Sequence, residues 1–125
     1  MITGAGVDLI LVTRMEKVWR RHGDRLLARI LHPDELVKLP STTLAGRWLA
    51  KRWAVKEAAA KALGTGFQQS VRFTDFIYEH DVLGKPLLRV EGAAKLIADK
   101  IGILAWHVSV SDEKDYVIAQ VIAEK

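Results

Sequence analysis

Residues 53–66 read WAVKEAAAKALGTG, and this stretch decides the fold. Alanine and leucine are strong helix formers, whereas the glycines at its end tolerate the positive φ that stops a helix. Because Pro40 ends the preceding segment, we expect the helix to begin near Ser41 or Thr42, whose hydroxyls can cap it. The sequence therefore predicts one long helix that stops at Gly64.

The predicted helix has two different faces on a 3.6-residue wheel. One is a hydrophobic stripe expected to face the core, formed by Leu44, Trp48, Val55, Ala59 and Ala62. The other consists mainly of small residues that would let another element approach, and comprises Gly46, Ala50, Trp53, Ala54, Glu57, Ala60, Lys61 and Gly64. Because the helix is apolar on both faces and the chain is short, we expect another copy of the chain to cover the second face.

Glu57 is the only acid between Ser41 and Gly64, and it has two interpretations. Its spacing to Lys61 is that of a helix-stabilising pair, worth about 0.2–0.5 kcal/mol. Alternatively, Glu57 is a metal ligand or a base, and Lys61 contacts a phosphate or a leaving group. A second acid elsewhere in the chain would favour the chemical interpretation.

Length and composition indicate one domain, residues 1–125, that is half hydrophobic and 27% charged. The chain has no cysteine, so it forms neither disulfides nor thiolate metal sites. No signal peptide opens the chain and no apolar run approaches the length of a membrane span. We therefore expect a cytoplasmic protein without a membrane partner.

Charge is unevenly distributed along the chain. Residues 1–66 contain 12 Lys/Arg and 6 Asp/Glu, whereas residues 67–125 contain 7 and 9. A basic half favours an anionic partner, which could be nucleic acid, a phosphorylated cofactor or an acidic protein. A nucleic-acid-binding module is the main alternative to an enzyme, although it gives Asp8 and Glu57 no role. A structural oligomer without catalysis is the second alternative.

Asp8 is the second acid. It interrupts a predicted buried strand, Ile2 to Val12, in which Gly4 and Gly6 permit close approach of another backbone. An acid is costly to bury unpaired, so Asp8 is either bonded to backbone N–H groups at a bend or held for chemistry. Leu9 stands where the third glycine of a dinucleotide-binding fingerprint belongs, so we reject that motif.

The segment Thr13 to Leu31 is predicted to form two helices that break near Gly23. Thr13 and Glu16 have the spacing of a capping box. The exposed side of this segment is basic, and it is either an ordinary solvated face or a docking surface for an acidic helix or a nucleic-acid backbone. A short helix is expected after Pro33.

After Gly66 the hydrophobic pattern changes to the two-residue period of strands. The predicted elements are a hairpin over 71–82 and 87–90, a helix over 92–100, and two final strands over 105–111 and 116–123. Ala93, Leu96 and Ile97 are expected to face inward from the helix. His107 shares the polar face of its strand with two serine hydroxyls.

The combination of two carboxylates with no cysteine and no metal-spaced histidine pair argues against a zinc site. Mg²⁺ usually binds one or two protein carboxylates together with substrate phosphates and water. If Asp8 and Glu57 converge, Lys61 could contact a phosphate on the same ion. The residues thus favour chemistry at a phosphoanhydride, without a Walker-type nucleotide loop.

Four segments carry a resemblance to a known family, namely GAGVDL at 4–9, LAKRWAVKEAAAKALGTG at 49–66, LGKP at 83–86 and HVSVS at 107–111. Their order and spacing, and the total length, resemble those of holo-acyl-carrier-protein synthases, the short-chain class of 4′-phosphopantetheinyl transferases. The resemblance implies an α+β fold, with one long central helix packed on an antiparallel sheet in a compact single domain. It also implies a homotrimer with each active site between two protomers.

The resemblance further implies a reaction. Such enzymes move the 4′-phosphopantetheine arm of coenzyme A onto a serine of apo-acyl carrier protein, in fatty acid biosynthesis, and release adenosine 3′,5′-bisphosphate. Asp8 and Glu57 would hold Mg²⁺ against the pyrophosphate of coenzyme A. Glu57 would act as the base, directly or through a metal-bound water, and Lys61 would stabilise the transferring or leaving phosphate. No nucleic acid is among the implied partners.

Binding surfaces follow from the same resemblance. Arg52 and His107 would contact the ribose 3′-phosphate, and the nucleotide cleft would include Lys61, Gly64, Thr65, Gly84 and Pro86. Arg14 and Arg21, on the first helix, would receive the acidic carrier protein. Asp112 stands where several relatives have His or Thr, which places an acid near the expected nucleotide phosphates.

Overall fold

The computed structural model describes residues 1–125 and has an α+β fold, as predicted. The helices are α1 (Val12–His22), α2 (Asp24–Ile30), α3 (Pro33–Leu36), α4 (Ala45–Leu63) and α5 (Gly92–Ile101). The strands are β1 (Ile2–Leu11), β2 (Phe76–His80), β3 (Pro86–Val90), β4 (Ala105–Asp112) and β5 (Tyr116–Glu124). A short 3₁₀ turn, Phe73–Asp75, precedes β2. None of the helices is both long enough and apolar enough to cross a membrane.

The strands form two antiparallel sheets, a three-stranded sheet in the order β1-β5-β4 and the predicted hairpin β2-β3. In the larger sheet, alternate residues such as Ile10 and Val121 are buried beneath α4. Their neighbours Val7, Leu9 and Ile118 point away from the helix and are exposed. The prediction that β1 is buried throughout is therefore wrong, because only one face of its sheet is covered.

The strand β1 packs directly on the backbone of α4 at two glycines. A Cβ atom added at Gly4 would lie 1.9 Å from the carbonyl oxygen of Ala62, and one at Gly6 would lie 1.9 Å from that of Ala58. No side chain fits at either position, so the predicted close approach of another backbone is confirmed.

The ends of α4 agree with the sequence in one case and not in the other. The helix stops at Gly64, whose φ of +91° is left-handed, as predicted. It begins at Ala45 rather than near Ser41 or Thr42, and no side chain caps it. The Thr42 hydroxyl instead accepts a hydrogen bond from the Leu44 N–H (3.2 Å) in a turn before the helix. Leu44 is 63% exposed and does not belong to the core.

The small-residue face of α4 is covered by its own chain only in part. Ala50 and Ala54 are fully buried, and Ala60 is 1% exposed. Lys61 and Gly64 of the same face are exposed. The prediction that another copy covers this face is therefore wrong for the buried alanines and stays a prediction for the exposed residues. The outer face of the sheet also exposes apolar side chains.

Two predictions about shorter helices also fail, whereas the break at Gly23 (φ +59°) is confirmed. The capping box is absent, because α1 begins at Val12 and the Glu16 side chain packs against Gly46 instead. On α5, Leu96 is 73% exposed, and the fully inward positions are Ala94 and Ala98. Leu96 lies two residues from each of these alanines, about 160° around the helix axis, so its side chain points to solvent.

Candidate active site

Asp8 and Glu57 lie on two elements that are in direct backbone contact. Asp8 follows Gly6 by two residues on β1, so its side chain points to the same side as the glycine, toward α4. There the Nζ of Lys61 donates hydrogen bonds to the Val7 carbonyl (2.9 Å) and to Asp8 Oδ1 (3.4 Å). The structure thus joins β1 and α4 at the acids and the lysine singled out in the sequence.

Glu57 is the less bonded of the two carboxylates. It makes no hydrogen bond or ion pair with any other side chain or backbone group, because Lys61 turns to β1 instead. The simple helix pair between Glu57 and Lys61 is therefore absent. The oxygens of Glu57 remain available to a ligand.

The environment makes both carboxyl groups harder to ionise. Burial raises the pKa of Asp8 and of Glu57 above their ordinary values, and the negative charge of Asp8 adds to the effect on Glu57. The positive charges of Lys61 and Arg14 oppose these shifts but do not cancel them. Two acids that repel each other and lack full pairing are stabilised by a bound cation.

The donor set fits Mg²⁺. No third His, Cys, Asp or Glu side chain joins the two carboxylates to form a larger ligand group. A structural zinc site uses four protein ligands, whereas Mg²⁺ takes one or two carboxylates and completes its shell with phosphates and water. Asp8 and Glu57 would therefore hold Mg²⁺ together with a phosphorylated substrate.

A second cluster lines a cleft of about 530 Å³, which we name the basic cleft. Its positive side chains are Arg47, Lys51 and Arg52, all from one side of α4. The remaining lining residues are Pro40, Leu44, Trp48, Tyr78, His80, Gly84, Pro86, Val110 and Asp112. The cleft thus unites three predicted nucleotide-site residues, Arg52, Gly84 and Pro86, around a charge suited to phosphate.

Arg52 is held mainly by packing. Its guanidinium carbon lies 3.8 Å from the ring centroid of Trp48 and 5.2 Å from that of Tyr78. Its Nε lies 3.8 Å from Glu35 Oε2, too far for a hydrogen bond, and is the one buried side-chain polar atom without a partner. Burial lowers the pKa of Arg52, opposed by the charge of Glu35, yet a guanidinium stays cationic in proteins.

Glu35 and Lys56 form a buried ion pair that sequence reasoning missed. The Nζ of Lys56 lies 2.5 Å from Glu35 Oε1 and 2.6 Å from the Ile30 carbonyl oxygen. Burial lowers the pKa of Lys56 to about 8, although Glu35 opposes the shift. Lys56 follows the buried Leu49 by two helical turns and so lies on the same inward side, which was the available signal.

Other predicted site residues lie outside the basic cleft. Gly64 and Thr65 directly follow α4, just beyond Lys61 at the carboxylate end of the helix. His107 lies on the outer face of the sheet, where its Nε2 is 2.9 Å from Glu124 Oε1. A single chain therefore does not bring His107 or Lys61 to the cleft that contains Arg52.

Arg14 and Arg21 are exposed on α1, as predicted for a docking surface. The opposite side of this helix is buried through Val12 and Met15. Because α1 begins directly after β1, its exposed face starts close to Asp8. The positive charge of Arg14 opposes, to a smaller extent, the rise that burial causes in the pKa of both carboxyl groups.

Comparison with known proteins identifies the family of the chain. The family model described as the 4′-phosphopantetheinyl transferase superfamily matches residues 4–121. The chain is 49% identical to the holo-[acyl-carrier-protein] synthase of Photobacterium profundum over 123 residues, which cover 98% of each protein.

Solved structures extend the match to the fold. The holo-[acyl-carrier-protein] synthase of Neisseria meningitidis superposes with a TM-score of 0.93 at 40% identity and covers 100% of both chains. The synthase of Bacillus anthracis in complex with CoA (3′,5′-ADP) gives a TM-score of 0.79 at 32% identity, with 98% of this chain and 96% of that one covered. Because sequence and fold both match over the whole length, the chain belongs to the holo-acyl-carrier-protein synthases, enzymes of the 4′-phosphopantetheinyl transferase superfamily.

Proposed function

We propose that this enzyme transfers 4′-phosphopantetheine from coenzyme A to a serine of apo-acyl carrier protein in a Mg²⁺-dependent reaction that supplies fatty acid biosynthesis. The observation that carries the proposal is the pair of incompletely bonded carboxylates, Asp8 and Glu57, at the contact of β1 and α4, where Lys61 bonds Asp8. A bond forms between the serine oxygen and the phosphorus of the pantetheine phosphate. The phosphoanhydride bond breaks, and its electron pair leaves with adenosine 3′,5′-bisphosphate.

The three residues of the carboxylate cluster divide metal binding, leaving-group stabilisation and proton transfer among them. Asp8 and Glu57 would hold Mg²⁺, which supplies positive charge to the phosphoryl oxygens and the leaving group. Lys61 is 52% exposed at its side chain and held by only two contacts, so its ammonium can move to the departing phosphate. Glu57 is also the proposed base for the serine proton, either directly or through a water on the metal.

The basic cleft is the proposed place for the nucleotide of coenzyme A. Arg52 lines it beside Arg47 and Lys51, which together supply positive charge for phosphate. However, none of Asp8, Glu57 and Lys61 lines this cleft. The cleft and the carboxylates of one chain are therefore separate, which favours an active site shared between two copies.

The outer face of the sheet is the proposed contact between copies in a homotrimer. Its exposed apolar side chains include Val7 (52%), Leu9 (58%) and Ile118 (42%), which neighbour one another across β1 and β5. His107 lies on the same face of β4. Contact through this face would bury apolar surface that is otherwise in water and would bring the exposed His107 against a neighbouring copy.

The test of the proposed function is incubation with coenzyme A, Mg²⁺ and apo-acyl carrier protein, followed by intact mass measurement of the carrier. We expect a mass gain equal to one phosphopantetheine, lost when a chelator removes Mg²⁺ and absent on a carrier whose acceptor serine is alanine. No mass gain with the complete mixture would contradict the proposal.

The shared active site has its own test. Glu57→Gln changes the carboxylate cluster, and Arg52→Met changes the cleft while keeping much of the packing against Trp48. Each variant alone should be nearly inactive, whereas mixed oligomers should recover part of the activity. Mixed oligomers that form, as seen by native mass spectrometry, but stay inactive would contradict a shared site.

A further inference from the structure

Asp112 occupies the basic cleft as an internal anion. Its Oδ2 lies 3.1 Å from Nη1 of Arg47, and its Oδ1 lies 3.5 Å from Nζ of Lys51. Arg47 also donates hydrogen bonds to the carbonyl oxygens of Glu113 (2.7 Å) and Lys114 (2.6 Å). The turn between β4 and β5 is thus tied to one wall of the cleft by an arginine that an incoming phosphate would also attract.

The positive charge of the cleft is therefore already partly used. Of its three cations, Arg47 and Lys51 pair with Asp112, and Arg52 lies beside Glu35 with its Nε buried. His80 does not add a fourth, because burial lowers its pKa and the charges of Arg52, Lys51 and Lys38 lower it further, against the opposing charge of Asp81. An anion entering the cleft meets two cations that hold another partner.

We propose that Asp112 competes with the nucleotide phosphate for Arg47 and Lys51 and thereby sets the affinity of the cleft for phosphorylated ligands. Binding exchanges the two ion pairs with the carboxylate for ion pairs with phosphate, without covalent change. A dianionic phosphate monoester attracts these cations more strongly than a carboxylate does, so the exchange is favourable, but releasing Asp112 weakens the net affinity. This inference rests on the proposed function, since it assumes that the cleft binds the nucleotide.

The side chains make a clear structural distinction between this role and a supporting one. If Asp112 served to hold Arg47 in a binding position, its loss would free the arginine and weaken ligand binding. Arg47, however, keeps two backbone carbonyl partners in the turn that do not depend on the Asp112 side chain. Removing the carboxylate charge therefore leaves the arginine placed and makes its charge available.

The test is calorimetric titration with adenosine 3′,5′-bisphosphate of the wild type, Asp112→Asn and the matched control Asp115→Asn. Both substitutions remove one negative charge from the β4–β5 turn, but Asp115 makes no side-chain ion pair or hydrogen bond. We expect Asp112→Asn to lower Kd about fivefold, the effect of freeing two partly exposed ion pairs, and Asp115→Asn to change it less than about twofold.

The outcomes separate this inference from the proposed function. If the wild type binds the bisphosphate and Asp112→Asn binds it equally or more weakly, the inference is overturned and the proposed function stands. If Asp115→Asn tightens binding as much as Asp112→Asn, general charge explains the effect and the inference is again overturned. If none of the three proteins binds the bisphosphate, both the proposed function and the inference are contradicted.

Discussion

The two carboxylate clusters beside α4 differ in how completely their oxygens are bonded. Glu35 is 2% exposed and accepts hydrogen bonds from Lys56 Nζ and from the backbone N–H groups of Tyr78 (3.1 Å) and His32 (2.9 Å). In the other cluster, Asp8 accepts one long bond from Lys61, and Glu57 accepts none. Both clusters contain an acid and a lysine, yet only the first is complete without a ligand.

This difference separates a structural role from a chemical one. A buried carboxylate that accepts several hydrogen bonds stabilises the fold, and its oxygens are not free to bind a substrate. Carboxyl groups whose pKa values are raised by burial, and for Glu57 also by the charge of Asp8, are instead in an unfavourable state that a ligand can relieve. The degree of bonding, rather than the residue type, distinguishes the two sites.

Removal of the cation from the complete cluster should have the largest effect. Lys56→Met leaves Glu35 buried without its positive partner, and we expect the free energy of unfolding to fall by about 3–5 kcal/mol. Urea unfolding followed by circular dichroism measures this change. Lys17→Met, at an exposed position of α1, is the control and should stay within about 0.5 kcal/mol of the wild type. Equal stability of the Lys56 variant and the wild type would show that the ion pair of Glu35 and Lys56 does not stabilise the fold.

Neutralising the incomplete cluster should affect activity and not folding. Asp8→Asn and Glu57→Gln should each lower turnover roughly 10²-fold or more, equivalent to about 2.7 kcal/mol or more of transition-state stabilisation. The unfolding midpoint without Mg²⁺ should not fall, because each change removes a charge repulsion. Glu113→Gln, in the exposed β4–β5 turn, serves as a control for charge. Near-normal turnover by either site variant with Mg²⁺ would show that the cluster is not the metal site.

Charge reversal on α1 tests whether the site formed by Asp8, Glu57 and Lys61 extends to this helix. Arg21→Glu should raise the apparent KM for the carrier protein and flatten its salt dependence, since exposed charges mainly steer association. Turnover at saturating carrier should stay within roughly tenfold, because the lost interaction is uniform binding. Arg14→Glu should raise the apparent KM as Arg21→Glu does. It should lower turnover more than Arg21→Glu, because the positive charge of Arg14 acts on Asp8 and Glu57.

The control is Lys100→Glu, a charge reversal on α5. Its kinetics show how much a charge reversal changes KM and turnover without affecting docking. If Arg21→Glu abolishes turnover while the carrier still binds, the docking surface and the catalytic cluster are one site. The division between them would then be wrong.

The smallest expected effect is a pH dependence of stability. Because folding raises the pKa of Glu57 above its ordinary 4.5, protonation favours the folded state. The resulting stabilisation is complete below the ordinary value and is lost as pH rises through the raised one. In the presence of a chelator, the unfolding free energy of the wild type should therefore fall relative to Glu57→Gln over this interval, by about 1 kcal/mol or less after solvent screening. A relative rise would contradict the raised pKa.

Local patterns predicted those parts of the structure that depend on neighbouring residues. The stop at Gly64, the approach at Gly4 and Gly6, and the alternation of β4 and β5 all follow from conformational preference or from periodicity. The start of α4 was missed because the hydroxyl of Thr42 bonds within a preceding turn, a choice that periodicity does not encode.

Contacts between distant segments account for the rest. Glu35 meets Lys56 across 21 residues, and Asp112 meets Arg47 across 65. Arg47 and Asp112 have the pattern of solvated charges, and the inward position of Lys56 on α4 does not identify its partner. Only the packing of α3, α4 and the β4–β5 turn identifies the pairs. Asp8 and Glu57 were recognised because each lies in a short sequence motif. The position of His107 relative to Arg52 depends instead on how copies of the chain assemble.

The glycines of β1 also determine which atoms fix the distance between the two sides of the active site. The strand and the helix meet through backbone atoms, which have no rotamers and cannot repack as a layer of side chains does. Substitutions in the core elsewhere can therefore be absorbed by side-chain movement without changing the spacing of Asp8 and Glu57. A single methyl group at Gly6 would do the reverse, since it would wedge the two elements apart and widen the site while every charged atom stays chemically intact.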